Sequence, residues 1–152
     1  MYLYLSMAAF FEAQNLPGAA GWMRVQAQEE LVHALKFFDW INERRGRVVL
    51  AAIDKPDFEW SSPLEAFEAS FKHEQYITGR INDLVALAIE EKDFATRNML
   101  NWFVDEQVEE ESSVDAVLQQ LRMMGDTKHG LFMVDRELGA RQAGGAAATE
   151  EA

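Results

Sequence analysis

Arg44-Arg45-Gly46-Arg47-Val48-Val49-Leu50-Ala51-Ala52-Ile53-Asp54-Lys55-Pro56-Asp57-Phe58-Glu59-Trp60-Ser61-Ser62-Pro63-Leu64-Glu65 is the stretch on which the fold turns. Its first three residues end a helix, with two cations in the last turn and a glycine expected at C′. Its last four open another, with Ser62 as N-cap, Pro63 at N1 and Glu65 at N3 as the acid of a capping box. The residues between lack a helical period and include Pro56. About 16 residues at about 3.3 Å each can reach roughly 50 Å. The preceding helix, from about Ala19 to Arg45, is about 40 Å long. The link can therefore travel that helix's whole length and leave the two flanking helices parallel.

Working outward, an apolar first helix runs from Tyr2 to about Gln14 and is broken by Asn15-Leu16-Pro17-Gly18. The third helix runs from Pro63 to about Lys92. Asp93 is placed to cap a fourth, Phe94 to Met124, which stops at Gly125. Asp126 or Thr127 is placed to cap a short fifth helix ending near Leu138. The short connections between helices one and two, and between three and four, force antiparallel hairpins. The expected fold is all-α: a four-helix bundle with one long crossover plus a short C-terminal fifth helix. The bundle domain is expected over residues 1–142, and residues 143–152 read as a small, acidic, disordered tail.

The chain has 152 residues, 49% of them apolar, and a formal net charge of −12. That suffices for one sizeable core. The charge argues against nucleic acid or an anionic membrane as partner and leaves cation binding open. With no Cys, thiolate zinc sites, iron–sulfur clusters and disulfides are excluded. No apolar run approaches a membrane span and no leader pattern is read, so a cytoplasmic location is expected.

The apolar seams of three helices are interrupted by polar residues. Helix two reads Trp22, Gln26, Glu30, His33, Phe37, Trp40; helix three reads Phe67, Phe71, Glu74, Ile77, Ile81, Leu84. Helix four reads Met99, Phe103, Gln107, Glu110, Val114, Val117, Leu121. Counted from the turn at Asp93, Glu74 on one arm and Gln107 and Glu110 on the other reach similar heights. Glu30 and His33 lie a comparable distance after Pro17.

Three carboxylates in one core demand protonation or partners, and no Lys or Arg lies on these stripes. A divalent cation resolves the conflict, because carboxylate and imidazole donors suit iron, manganese or zinc. Glu30-x-x-His33 puts both donor types one helical turn apart, and Gln107-x-x-Glu110 does so with an amide oxygen and a carboxylate. Carboxylates can also bridge two ions about 3.5–4 Å apart. Taken singly, Glu-x-x-His arises by chance and Asp105 to Glu111 is an ordinary solvated acidic face. The coincidence of three interrupted seams at one height favours metal. His73 and His129 read as surface residues.

At these residues the chain resembles the non-haem ferritins of bacteria and archaea. The likeness rests on Tyr2-Leu-Tyr-Leu-Ser-Met7, Gln28-Glu-Glu-Leu-Val-His33, Lys72-His-Glu-Gln75, Glu91-Lys-Asp-Phe94 and Asn101 through Glu111. It implies the ferritin-like bundle and a hollow shell of about 24 subunits assembled by self-association. It also implies ferroxidase activity: Fe(II) is oxidised by dioxygen at a di-iron centre within each subunit, and ferric mineral is stored. By resemblance, Glu30 is the carboxylate bridging both irons, His33 a ligand of the first, and Glu74 and Glu110 ligands of the second. Gln107 takes the place of the amide beside the dioxygen side, and Tyr4 matches the tyrosine next to the centre. Glu29, Glu106 and Glu109, with Glu110, resemble a nearby third iron site.

Two departures shape the expectations. The family takes one further carboxylate ligand from the first half of its first helix, and by alignment of Tyr4 that residue would precede Met1. An upstream start is therefore expected, the alternative being a shortened structural cage subunit with impaired oxidation. Haem-binding ferritins carry Glu-Met-x-His, whereas here Glu30-Leu31-Val32-His33 lacks the methionine, so no haem is expected. A rubrerythrin-like di-iron peroxidase is a further rival. That class carries a second Glu-x-x-His and often a four-Cys iron domain, and neither is present here.

Overall fold

A computed structural model of the chain describes residues 1–125 and 127–141. Among them are five helices and no strand: α1 (Tyr2–Ala13), α2 (Pro17–Glu43), α3 (Pro63–Glu90), α4 (Phe94–Met124) and α5 (Lys128–Leu138). They fall into two units, one holding Met1–Trp60 with the chain from Lys128 onward, the other Ser61–Thr127. No helix of the described chain is long and apolar enough to cross a membrane.

In the first unit α1 folds back along α2, and Arg24 Nη2 on α2 donates to Glu12 Oε1 on α1 at 2.6 Å. Tyr4, Met7, Phe11, Trp22 and Met23 are buried. Each large apolar side chain of this kind contributes about 1.5–3 kcal/mol by leaving water. α2 begins at Pro17, two residues before the expected Ala19, because proline's fixed φ suits the first helical position. The link after α2 returns beside α1. Ser6 Oγ donates to the carbonyl of Asp57 at 2.6 Å, and Trp60 packs edge-on against Phe10 with ring centroids 5.2 Å apart. It therefore runs back along the hairpin, as its length allows.

The end of α2 differs in one detail from the sequence reading. The left-handed C′ residue is Arg45, with φ 64°, and not Gly46. Arg45 N donates to Asn42 O and Gly46 N to Ile41 O at 2.8 Å. Gly46 is needed for space: a Cβ there would meet Ile41 Cγ2 at 2.9 Å and Ile41 O at 3.0 Å.

α5 seats on the start of α2, which has no side-chain cap of its own. Asp135 Oδ1 supplies one, accepting from Ala19 N at 2.8 Å. The backbones touch here, since a Cβ on Gly18 would stand 1.7 Å from Asp135 O. Thr127 Oγ1 donates to Met124 O at 3.2 Å. Asp126, the other expected cap of α5, lies outside the described residues, as does the expected tail at 143–152.

The second unit is the α3–α4 hairpin. Ser62 Oγ accepts from Glu65 N at 3.1 Å, and the Glu65 carboxylate accepts from the backbone and hydroxyl of Ser61, which holds it below its ordinary pKa. Asp93 caps α4, accepting from Thr96 N at 3.2 Å and Thr96 Oγ1 at 2.7 Å. Phe67, Ile81, Leu100, Phe103, Val114 and Leu118 form its core. Leu84, expected on the α3 seam, is exposed, and Ala88 is buried in the last turns of the helix.

Candidate metal centre

The polar residues that interrupt the seams are buried, Glu30 only in part. On α2, Trp22, Gln26 and His33 are buried and Glu30 is half-buried; on α3, Glu74 has no exposure; on α4, Gln107 and Glu110 are buried. The buried polar residues among those described are Gln26, His33, Ser70, Glu74, Gln107 and Glu110. That set contains carboxylates, amides, a hydroxyl and an imidazole but no lysine or arginine.

On α2, one turn brings His33 Nδ1 to 3.9 Å from Glu30 Oε1, and the Met1 amino group lies 3.9 Å from Glu30 Oε2. Burial, then the Met1 amino charge and Lys36, lowers the His33 pKa to about 4. The imidazole is therefore neutral at neutral pH, as a metal ligand must be. Tyr4 is wholly buried in the same unit.

Glu29 is already engaged by a cation. Arg141, just past α5, places Nη2 2.6 Å from Glu29 Oε2, Nη1 3.0 Å from Gln26 Oε1, and its guanidinium carbon 4.4 Å from the centre of the Trp22 ring. Burial raises the Glu29 pKa, and Arg141 partly opposes the rise. Of the other residues matched to a third ion site, Glu106 is half-buried and Glu109 exposed, so solvent competes for the latter.

In the second unit, Gln107 Nε2 donates to Glu74 Oε2 and to the Glu74 carbonyl, each at 3.2 Å. Two residues that the sequence reading passed over stand behind this pair. Thr78 Oγ1 accepts from Gln107 Nε2 at 3.2 Å and donates to Glu111 Oε1 at 2.5 Å. Thr78 follows Glu74 by four residues and Glu111 follows Gln107 by four, so helical spacing was the available signal. His73, expected at the surface, is half-buried with its ring centroid 6.5 Å from that of Tyr76. Burial lowers its pKa, and the adjoining Glu74 opposes that shift. His129 is exposed, as expected.

The sequence model of the ferritin-like domain matches residues 1–124. A probable bacterial non-heme ferritin-like protein of Haemophilus influenzae is 40% identical over 137 residues, covering 90% of this chain and 83% of that protein. A bacterial non-heme ferritin of Staphylococcus aureus is 39% identical over 140 residues, covering 92% and 84%. An open-pore ferritin of the hyperthermophilic archaeon Archaeoglobus fulgidus superposes with a TM-score of 0.92 at 53% identity, covering 93% of this chain and 87% of its own. A form of the A. fulgidus ferritin engineered to be closed superposes at 0.93 with 52% identity, covering 94% and 87%. The chain belongs to the ferritin-like family, and its fold is that family's four-helix bundle with a short fifth helix.

Proposed function

We propose that this chain is an iron-storage ferritin that takes up Fe(II), oxidises it with dioxygen and deposits ferric mineral in a shell built of its own copies. Glu30, His33, Glu74, Gln107 and Glu110 form the ion-binding set, with Tyr4 beside it. Glu30 and His33 on α2 offer a carboxylate and an imidazole, and Glu74, Gln107 and Glu110 on the α3–α4 hairpin offer carboxylate and amide oxygens, the donor types that suit a divalent cation. The reading is carried by one observation: among the described residues, the buried polar side chains include carboxylates and an imidazole without any buried lysine or arginine. Ions supply the missing positive charge. The membership of the family and the non-heme ferritin relatives support iron as that ion.

Fe(II) is substrate and cargo. Each ion gives up one electron to dioxygen, and the protein's part is to hold ions close together, fix their geometry and leave a position open. His33 contributes an imidazole that needs no deprotonation at neutral pH, because burial has already lowered its pKa to about 4. The net charge of −12 favours cation entry over anion entry.

The test is to add Fe(II) in air, follow ferric absorbance and size the particle. The double variant Glu30→Ala/His33→Ala is expected to lose rapid oxidation while keeping its helical circular dichroism. An initial rate equal to that of the parent protein would refute the assigned ion-binding set.

A further inference from the structure

The hydrogen-bond chain on the α3–α4 hairpin extends past the proposed ligands and has one direction. Gln107 Nε2 lies 3.2 Å from the Glu74 carbonyl, from Glu74 Oε2 and from Thr78 Oγ1, so its two hydrogens are shared among three acceptors. A carbonyl and a carboxylate only accept, so the amide atom facing them is the nitrogen, and the amide oxygen is turned away from them. The single Thr78 hydroxyl proton goes to Glu111 Oε1 at 2.5 Å. Towards Gln107 the hydroxyl can then only accept. Glu111 fixes Thr78, Thr78 fixes the Gln107 amide, and the amide donates to Glu74.

We propose that Thr78 is a positioning residue for ion binding: with Glu111 behind it, it locks the Gln107 amide so that its oxygen, not its NH₂, stays available to an ion. This rests on the reading that Glu74 and Gln107 are ligands. The lock matters most when Glu74 is occupied. A carboxylate turned to a metal weakens as an acceptor for Gln107, and without Thr78 the amide is held only by the Glu74 carbonyl. An NH₂ group presented to a cation repels it. Removing hydrogen-bond partners of ligands costs about 10–100-fold in metal affinity or activity.

The experiment compares the full-length protein with Thr78→Val, Thr78→Ala and Thr78→Ser, using Glu30→Ala/His33→Ala as the control for the ion reading. Two readouts are taken: the Fe(II) concentration giving half-maximal initial oxidation, and anaerobic Co(II) titration followed by visible absorbance, which reports coordination without turnover. Val and Ala are expected to weaken both by about tenfold, and Ser, which keeps the hydroxyl, to restore both to within about twofold of the parent. Ala, the better helix former, carries the same test should the Val variant fold poorly. Parent-like behaviour of Val or Ala, or a loss that Ser does not rescue, overturns the role of Thr78 and leaves the ion site standing. Parent-like oxidation by the Glu30→Ala/His33→Ala control removes the ion site itself, and the Thr78 proposal with it.

Discussion

On α2, the Glu29 carboxylate is met by the Arg141 guanidinium at 2.6 Å, whereas on α3 the Glu74 carboxylate is met by the neutral Gln107 amide at 3.2 Å. The first pairing is charge against charge, with each side chain about a quarter exposed. The second belongs to a chain of neutral donors ending at Glu111, with Glu74 fully buried. In the proposed function, an ion approaching Glu29 has to displace Arg141, whereas one approaching Glu74 meets a neutral amide donor. By this contrast the α2–α5 contact supplies its own positive charge, while the proposed ligand Glu74 is hydrogen-bonded to a neutral amide.

The largest effect is expected at the acid answered by an amide. Glu74→Ala should lower the initial Fe(II) oxidation rate by about a hundredfold or more, read as ferric absorbance, with circular dichroism unchanged. A rate within about threefold of the parent would erase the contrast between the two carboxylates. Next is the seat of α5. Gly18→Ala would drive a Cβ to 1.7 Å from Asp135 O, so α5 must shift, and with it the Asp135 cap on α2 and the Arg141 grip on Glu29. We expect a loss of about 1–3 kcal/mol in urea unfolding. An unchanged midpoint would mean that the α2–α5 contact, and so the Arg141 pairing it supports, is not held in place by close packing.

Much of this arrangement was legible beforehand because it depends on period and spacing. Polar residues on an apolar stripe at steps of three and four must enter the core, and Gln26, His33, Glu74, Gln107 and Glu110 do. Ser62 and Asp93 cap helices because a short polar side chain before an apolar run has one good place to bond. Other features escaped because they depend on contacts between residues far apart in the chain. Arg141 follows the last helix and meets Glu29 across 112 positions, and Asp135 reaches Ala19 across 116. Nothing local marks either residue as a partner. Thr78 and Glu111 were within reach of helical spacing, yet a threonine and one more acid in a row of acids carry no signal until the Gln107 amide is seen beside them. The C′ position at Arg45 escaped for a different reason: the adjacent glycine is the commoner left-handed residue, and here it is used for space against Ile41.

The smallest effect concerns pH and sets the two histidines against each other. Burial lowers the pKa of both; at His33 the Met1 amino charge and Lys36 add to it, taking it to about 4, while at His73 the adjoining Glu74 opposes the shift. An unfolded histidine titrates near its ordinary value of about 6.5. Between about pH 4 and 6.5 the unfolded chain therefore binds a proton that folded His33 refuses, so stability rises with pH across that window and His33 adds no slope above it. Falling pH favours unfolding by the same linkage. His33→Gln should flatten the rise in urea midpoint between about pH 4.5 and 6.5 in the metal-free protein. His73→Gln should flatten it less, since its neighbouring carboxylate stabilises the protonated ring. Equal flattening by the two variants would show that burial alone sets both histidines and that the charges beside each do not matter.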